Sequence, residues 1–405
     1  MIIKKKSLSP EDWLQKYFGA EYFTGEFNHL KEIISSLKLD QSFQKIITIA
    51  GTNGKGETSR ILAQELVKAG KSSALWTSPH LFSVCERFCY NDQFVESEDL
   101  IQSFEKTQIF LKKFTKKVSY FEFLFINFLS VAQIKKVDYL VLEVGLGGRL
   151  DAVNVLNADL ALLTSISRDH QAILGETYKK IIHEKLGITR KDAILISCLE
   201  TAYLRQISKK HTMKIGCGFK DLFGGEIVKP TDNFSKRNMA LAFAAKSYLL
   251  EGEIKVDRSQ LESVSLFAKR LERKVSQQLF DFYSSHNVDG VRKLVQLLDK
   301  AKYNNYDNII IAFSERSKAD LIVMAKTLSR YFGTKNIYLY EFSHPKSVNR
   351  KILELIRDEF KLEIIDKQNI QSKIDFSKSQ KCLCTGSQYF FSDICHTFSE
   401  LFPGE

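Results

Sequence analysis

The most specific chemical signal in the chain is a glycine-rich segment around Lys55, between an apolar run and an amphipathic run. Glycine lets backbone N–H groups turn toward a phosphate, the N-terminus of a following helix adds partial positive charge, and Lys55 can reach phosphate oxygens. The strict Walker pattern is not met, because Ile49 stands where its first glycine belongs and Gly56 follows the lysine. A strand-to-helix turn with a surface lysine is the alternative. The pattern favours phosphate binding, and the candidate nucleotide contacts are Thr52, Asn53, Gly54, Lys55, Gly56, Glu57 and Thr58.

Three polar residues at the ends of other apolar runs are candidates for holding a cation, namely Ser78, Glu143 and His170. A carboxylate at the end of a buried strand is unfavourable unless it is paired or bound to a cation, and Mg²⁺ prefers oxygen ligands. The alternatives are a capping turn at Ser78 and a hydrogen-bonded structural histidine at His170. Open α/β sheets bind ligands at the carboxyl ends of their parallel strands. With Lys55, these residues therefore predict an enzyme that uses Mg²⁺ and ATP.

Two further patterns bear on this interpretation. The segment after Glu143 resembles the dinucleotide motif GxGxxG, but Leu150 stands at its third glycine, so NAD binding is disfavoured. Lys185 lies in a segment with an amphipathic helical pattern. Taken alone, that pattern predicts that the lysine lies on the surface.

Alternating elements must position these side chains. Nearly continuous apolar strands separated by helical patterns indicate βαβ units and a mainly parallel sheet covered on both faces. The predicted strands of this region are 45–50, 73–77, 137–144, 159–165 and 193–197, with helices at 58–68 and 176–186. The alternation restarts after residue 274, with strands at 277–283, 307–313, 336–340 and 381–385 and helices at 288–300, 319–331 and 347–360. The sequence thus predicts two α/β domains, 1–268 and 275–405, joined in the basic stretch 267–274.

Composition limits the class of protein. The 405 residues are 44% hydrophobic and 26% charged, which excludes wholesale disorder. The most apolar run, 120–132, is short and contains Glu122 and Asn127, so no membrane span is expected. Neither a signal peptide nor a disulfide framework is expected, and the seven cysteines indicate a cytoplasmic protein. A net charge of +11 fits nucleic acid, a membrane surface or small anions, but its even spread and the lack of a recognition motif disfavour nucleic acid.

Taken in their order along the chain, the motifs described above resemble those of the folylpolyglutamate synthase/dihydrofolate synthase family. This family is within the Mur-ligase type of ATP-dependent amide-forming enzymes. The segments that carry the resemblance are AGTNGKG (50–56), TSPHL (77–81) with Glu86-Arg87, YFEF (120–123), LEVGLGGRLDAVNV (142–155), TSISRDHQAILG (164–175) and HEKLGI (183–188). The resemblance implies an α/β fold with a P-loop Mur-ligase-type central domain built on a mainly parallel sheet. It also implies a smaller Rossmann-like C-terminal α/β domain that closes over the nucleotide.

The resemblance implies a reaction and its ligands. ATP would phosphorylate the carboxylate of dihydropteroate, or the terminal glutamate carboxylate of a folate, and the amine of L-glutamate would displace the phosphate. The implied cofactors are ATP and Mg²⁺ at two sites, with K⁺ as an additional candidate. The expected partners are these small molecules alone, without nucleic acid or membrane, and the expected state is a monomer.

The resemblance also assigns residues. Ser78 and Glu143 would hold one Mg²⁺, Glu143 and His170 a second, and Lys185 matches the family's carbamylated lysine. Further nucleotide contacts match Asn238, Arg270 and His286. The residues that match the pterin site are Phe121, Glu122, Phe123, Arg149, Leu150 and Asp151.

The chain departs from the family pattern at three places. Glu57 replaces Ser or Thr, Tyr283 replaces the aspartate before His286, and Arg316-Ser317-Lys318 replaces an acidic motif. Asp281, on the same face of the predicted strand as Tyr283, is the candidate substitute for the missing aspartate. Two alternatives stay open: a relative that ligates a different acid, and a non-catalytic nucleotide- or pterin-binding relative.

Overall fold

The computed structural model describes residues 9–18, 28–262, 271–300, 305–333 and 336–401. The chain divides into two compact units, Met1–Val264 and Ser265–Glu405. No helix in the described part of the chain combines the length and the apolarity that crossing a membrane requires. All seven cysteines are buried as free thiols.

An eight-stranded sheet forms the centre of the first unit, with the strand order β4-β3-β2-β5-β1-β6-β7-β8. Six strands run parallel, and the short β3 and β4 add an antiparallel edge. The strands are β1 (Lys45–Ala50), β2 (Ser73–Trp76), β3 (Cys89–Tyr90), β4 (Gln93–Phe94), β5 (Tyr139–Glu143), β6 (Leu160–Leu163), β7 (Ile194–Ser197) and β8 (Gly218–Asp221). The helices are α1 (Pro10–Phe18), α2 (Asn28–Ser36), α3 (Lys55–Lys68), α4 (Ser97–Leu111), α5 (Tyr120–Ile134), α6 (Gln171–Leu174), α7 (Tyr178–Leu186), α8 (Ala202–Ile215), α9 (Phe234–Glu251) and α10 (Arg258–Glu262).

Helices cover both faces of this sheet, as predicted. Ile47 and Ile49 of β1 pack with α3 and α9, whereas Leu140 and Leu142 of β5 pack with α5 on the opposite face. Full burial of each such side chain contributes about 1.5–3 kcal/mol. The apolar strands therefore hold their carboxyl ends in fixed positions at one edge.

The most apolar run of the sequence is the buried helix α5. Its polar residue Asn127 is buried and fully engaged, since its Oδ1 accepts hydrogen bonds from Ser103 Oγ at 2.9 Å and Thr107 Oγ1 at 2.8 Å. A helix that is apolar on all sides is stable only inside a protein core. This explains how a run of such hydrophobicity belongs to a globular unit.

A six-stranded sheet forms the second unit, with the order β13-β12-β11-β14-β10-β9. All pairings are parallel except that of β9 with β10. The strands are β9 (Leu271–Val275), β10 (Gln278–Tyr283), β11 (Asn308–Ala312), β12 (Asn336–Tyr340), β13 (Glu363–Ile365) and β14 (Lys381–Gly386). The helices are α11 (Val288–Lys300), α12 (Lys318–Phe332), α13 (Arg350–Phe360), α14 (Ile370–Lys373) and α15 (Gln388–Leu401).

Several boundaries differ from the sequence prediction by a few residues, and two of these differences have a clear local cause. Residues 271–274 of the predicted joint form most of β9, because their backbone pairs with β10. Helix α3 begins at Lys55 rather than at residue 58, because Gly54 takes φ +90° and ends the loop immediately before the lysine. The predicted closure of the second domain over a nucleotide stays a prediction.

Candidate active site

The loop between β1 and α3 is shaped to expose its backbone. A side chain at Gly51 would overlap Thr164 Oγ1, and Gly54 takes the positive φ that favours glycine. The loop is fixed from the segment after β6, since Thr52 N donates to Ser165 O at 2.8 Å and Asn53 N to Ser165 Oγ at 3.0 Å. Gly54 supplies no side-chain cap for α3. The N-terminal N–H groups of this helix therefore suit an anion.

Lys55 lies folded over this loop. Its Nζ donates to Gly51 O at 3.2 Å and to Thr52 O at 3.4 Å. A bound phosphate would offer charged oxygens in place of these neutral carbonyls, and charge-assisted hydrogen bonds are the stronger ones.

Lys185 of α7 reaches the same loop from the protein interior. Its side chain is buried, with the residue 3% exposed, and its Nζ donates to Gly51 O at 2.8 Å. Burial, together with the charge of Lys55, lowers the pKa of Lys185 to about 7, against a smaller opposing effect of Asp169 and Asp151. A surface position, which the helical pattern alone predicts, is therefore wrong. Near neutral pH a large fraction of this amine is uncharged.

Glu143 and Ser78 provide oxygen atoms beside the first turn of α3. Glu143, at the end of β5, accepts a hydrogen bond from Ser78 N at 3.1 Å. A β-carbon at Gly56 would lie 3.2 Å from Glu143 Oε2, so the carboxylate faces that turn. Ser78 Oγ is buried without a hydrogen-bond partner in the described part of the chain. A carboxylate and an unused hydroxyl next to a phosphate loop fit the oxygen-ligand preference of Mg²⁺.

His170 begins α6 at φ +49°, and its side chain is 53% exposed. Its Nε2 lies 4.0 Å from Asp169 Oδ1. Among the residues that the structure describes, no group of three or more His, Cys, Asp and Glu side chains is placed to hold a metal ion. The role of His170 as a ligand of a second metal stays a prediction.

Phe121 and Asp151 meet Ser78 around Gly145. A β-carbon on Gly145 would lie 3.1 Å from Phe121 Cζ and 3.3 Å from both Ser78 Oγ and Asp151 Oδ2. Burial raises the pKa of Asp151 to about 6, against hydrogen bonds from backbone N–H groups that lower it. The carboxylate of Asp151 thus orders the turn next to the candidate metal ligands.

Arg149 and Leu150 lie at a neighbouring cavity of about 80 Å³. Arg149 pairs with Glu184 at 2.9 Å, and Leu150 and Ile173 are exposed there. Apolar side chains beside an arginine suit a flat aromatic ligand that carries an acidic group.

Glu122 and Phe123 serve the fold instead, which corrects their expected place in the pterin site. Glu122 Oε2 accepts from Ser119 N at 2.6 Å in a capping box that starts α5, and its Oε1 lies 3.4 Å from His29 Nε2. Phe123 is fully buried, with its ring centroid 5.5 Å from that of Trp13.

Asn238 of α9 lies over the phosphate loop. A β-carbon at Gly54 would lie 2.5 Å from each polar atom of its amide, and Nδ2 donates to Glu57 Oε2 at 2.7 Å. The other two predicted nucleotide contacts stay predictions. Arg270 lies outside the described residues, and His286 belongs to the second unit, where its Nδ1 is 3.5 Å from Ser284 Oγ.

Asp281 is not exposed at a strand end, contrary to its suggested nucleotide role. It is fully buried, accepts a hydrogen bond from Tyr306 Oη at 2.8 Å, and lies 3.3 Å from Lys381 Nζ. This carboxylate stabilises the interior of the second unit.

The sequence alone assigned no role to Glu86 and Arg87, which accompany TSPHL in the resemblance and shape the loop carrying Ser78. Glu86 accepts from the backbone N–H groups of Leu81, Phe82 and Ser83 at 2.7–3.0 Å. Arg87 is buried and donates from Nε to His80 Nδ1 at 2.9 Å. The signal for this role was the charged pair Glu86-Arg87, which follows shortly after the TSPHL segment.

Comparisons with known proteins agree with this geometry. No protein-family model matches the chain. The dihydrofolate synthase/folylpolyglutamate synthase of Buchnera aphidicola subsp. Acyrthosiphon pisum is 38% identical over 41% of this chain, and the alignment spans only 40% of that relative. The enzyme of the same name from Bacillus subtilis is 25% identical over 90% of this chain and 93% of its own length.

A solved structure shows the same fold. The bifunctional folylpolyglutamate synthase/dihydrofolate synthase from Yersinia pestis, complexed with AMPPNP and Mn ion, is 24% identical, with 98% of each chain covered and a TM-score of 0.76. These findings confirm the predicted fold class and the family resemblance.

Proposed function

We propose that this chain is a member of the dihydrofolate synthase/folylpolyglutamate synthase family and an ATP-dependent ligase. It joins L-glutamate to dihydropteroate, with folates as a second class of acceptor. One observation carries the proposal: a phosphate-binding loop, two lysines that contact it and a carboxylate–hydroxyl pair lie together at one sheet edge. The names of the relatives and the AMPPNP and Mn ion of the Yersinia pestis structure support it.

The reaction needs an activated carboxylate. A carboxylate oxygen of the acceptor attacks the γ-phosphorus of ATP, and the bond to the β,γ-bridging oxygen breaks to release ADP. The amine of glutamate then attacks the acyl carbon, the bond to the phosphate oxygen breaks, and the amine loses a proton. Lys55 exchanges the carbonyls of Gly51 and Thr52 for phosphate oxygens and stabilises the charge of the transferred group.

Ser78 and Glu143 are the proposed ligands of Mg²⁺, and His170 with Glu143 the proposed ligands of a second ion. The buried Ser78 hydroxyl and the Glu143 carboxylate above α3 support the first assignment. When bound, the cation offsets negative charge between triphosphate and carboxylate. Glu143 also accepts the hydrogen bond of Ser78 N, which positions the hydroxyl.

Lys185 is the proposed site of carbamylation. Its buried Nζ, whose pKa is lowered to about 7, is the neutral nucleophile that adds to the carbon of CO₂ and releases one proton. The product is an anion where an ammonium stood. An anion next to the phosphate loop can attract a cation, which Lys185 in its protonated form would repel.

The acceptor acid is proposed to bind against Phe121, Arg149, Leu150 and Asp151. The Phe121 ring lies near Ser78 with its Cζ toward Gly145, and Leu150 lines the cavity next to Arg149. This arrangement directs an aromatic acid toward the edge of the sheet that holds the loop.

The proposal is tested with the purified full chain in Mg²⁺, K⁺ and bicarbonate. We expect phosphate release that requires ATP, dihydropteroate and L-glutamate together, and a product heavier by one glutamyl unit in mass spectra. Release with another acid only would favour a relative with a different acceptor. Nucleotide binding without release under any condition would favour a non-catalytic relative and contradict the proposal.

We further propose that the enzyme is a cytoplasmic monomer without a nucleic-acid partner. The free, buried cysteines suit a reducing compartment. The net charge of +11 suits anionic small-molecule substrates. Sedimentation that shows a dimer, or salt-sensitive DNA binding, would contradict these two points.

A further inference from the structure

Glu57 is an acidic residue in the first turn of a helix whose N-terminus faces the phosphate loop. The resemblance leads one to expect Ser or Thr at this position. A carboxylate here would repel a triphosphate if it pointed into the loop. Its Oε2 instead accepts a hydrogen bond from Asn238 Nδ2 at 2.7 Å. The acidic side chain is thus engaged by an amide from α9.

This hydrogen bond fixes which end of the Asn238 amide faces which way. An ionised carboxylate only accepts hydrogen bonds, so the nitrogen of the amide must face Glu57. The oxygen Oδ1 is then the end of the amide that presents an acceptor. Asn238 is held in place, because it is 6% exposed and its backbone oxygen accepts from Thr58 Oγ1 at 3.5 Å.

The amide lies against the loop residue that precedes Lys55. Both Oδ1 and Nδ2 would be 2.5 Å from a β-carbon at Gly54. A phosphate carries only acceptor oxygens at neutral pH and gains nothing from Oδ1. The donors of ATP are the 6-amino group of adenine and the ribose hydroxyls. If Oδ1 contacts ATP, its partner is therefore a donor of the nucleoside part.

We propose that Glu57 is a positioning residue that holds the Asn238 amide with its oxygen presented to a hydrogen-bond donor of the nucleoside. The inference rests on the proposed ATP-binding function. It assigns to an atypical residue of this chain a role in nucleotide selectivity.

Calorimetry of the full chain with Mg²⁺ and no acceptor acid tests the idea. The ligands are ATP, ITP, which replaces the 6-amino group by an oxygen, and 2′-deoxy-ATP and 3′-deoxy-ATP, which each lack one hydroxyl. We expect the wild type to bind ATP about tenfold more tightly than the analogue without the recognised donor. Weaker binding of ITP would identify the amino group as that donor, and weaker binding of a deoxy analogue would identify the hydroxyl that it lacks.

Three variants separate positioning from structure. Glu57→Ala removes the carboxylate that accepts from Asn238 Nδ2, so the Asn238 amide can rotate. The preference for ATP over the analogue without the recognised donor should then fall to about threefold or less. Glu57→Gln keeps an acceptor oxygen and should retain most of the preference. Glu65→Ala is the matched control, because Glu65 also joins α3 to α9, through Lys246 at 2.8 Å, but lies far along the helix from the loop.

The inference is overturned if the wild type binds all four nucleotides alike, or if Glu57→Ala keeps the full preference. An equal loss of the nucleotide preference in Glu65→Ala would also overturn it. The loss of any contact between α3 and α9 would then be enough to explain the result. Thermal melts check folding, and Glu57→Ser provides a second removal if the alanine variant fails to fold. A wild type that binds no ATP and releases no phosphate overturns both this inference and the proposed function. Tight ATP binding without any Glu57 dependence overturns the inference alone.

Discussion

The carboxyl ends of the two parallel sheets carry different chemistry. In the first unit, Lys55, Lys185 and Glu143 bring charge to the ends of β1 and β5. In the second unit, Ser314 Oγ donates to Ser387 Oγ, a neutral group directly after β14, and the acidic residues that follow β12 and β13 have local partners. Glu341 pairs with Arg350, and Asp366 accepts a hydrogen bond from Asn369 N. Both sheets also have a glycine where a side chain would overlap a neighbour, Gly51 in the first and Gly386 in the second.

One carboxylate of the second sheet, Asp281, lies within a strand rather than at its carboxyl end. Asp281 is fully buried next to Lys381, whereas Glu143 ends its strand with its oxygens toward α3. A carboxylate on a parallel strand can thus stabilise a fold or serve a site, depending on what the neighbouring strands and helices place around it. We expect phosphate and metal chemistry in the first unit, and substitutions should separate the two roles.

Lys55→Ala should have the largest effect. Removal of the ammonium that contacts the loop should lower kcat/KM for phosphate release about 100-fold or more, because its charge acts on the transferred phosphoryl group. Lys68→Ala is the control, since Lys68 is exposed in the last turn of the same helix. A loss of similar size in both variants would show that helix stability, and not charge at the loop, is responsible.

Glu143→Gln should come next. Glutamine keeps the shape of the side chain but lacks the negative charge, so we expect at least about tenfold more Mg²⁺ for half-maximal phosphate release. The comparison is sharpest against Asp281→Asn, the same chemical change in the second sheet. If Asp281→Asn raised the Mg²⁺ requirement equally, the assignment of metal chemistry to the first sheet would be lost.

Asp281→Asn should act on stability. Breaking the buried pair with Lys381 should lower the free energy of unfolding by about 3 kcal/mol, measured by urea denaturation. Asp375→Asn removes an exposed pair with Lys378 and should leave the urea denaturation midpoint almost unchanged. If Asp281→Asn left stability unchanged but weakened ATP binding, Asp281 would instead belong to the nucleotide site, as the sequence suggested.

The sequence located the site residues where strand ends determine position. Apolar runs gave β1 and β12 with their observed bounds, and the strand-end rule placed Lys55 and Glu143 at one edge. The capping box of α5 was also present in the sequence, as Ser119 followed three residues later by Glu122. A search for that signature would have separated Glu122 from the pterin-site residues.

Other features depend on partners distant in sequence. Lys185 is buried because α7 meets Gly51, which is 134 residues away. Asp281 is buried because Tyr306 and Lys381 come from other segments. Helical or strand periodicity reports only which face a residue occupies and not what covers that face. The Glu57–Asn238 hydrogen bond, across 181 residues, is of the same kind.

Lys185→Met should produce the smallest change, in the pH dependence of stability. Burial lowers the pKa of Lys185 from its usual 10.5 to about 7, so between these values the folded state holds the neutral amine while the unfolded chain is protonated. The unfolded state then binds more protons, and stability rises with pH by at most about 1.4 kcal/mol per unit. Below pH 7 both states are protonated, and this contribution becomes constant.

Urea denaturation from pH 6 to pH 9 in CO₂-free buffer measures this dependence. The wild type should gain stability with pH relative to Lys185→Met, and the methionine variant should be the more stable of the two at pH 7, because it buries no amine. Lys68→Met, at an exposed position, should follow the wild-type curve. Parallel curves for the wild type and Lys185→Met would mean that the Lys185 amine stays charged and hydrated. The first sheet would then lack the neutral amine that carbamylation requires, and Lys185 would be one more cation of the phosphate loop.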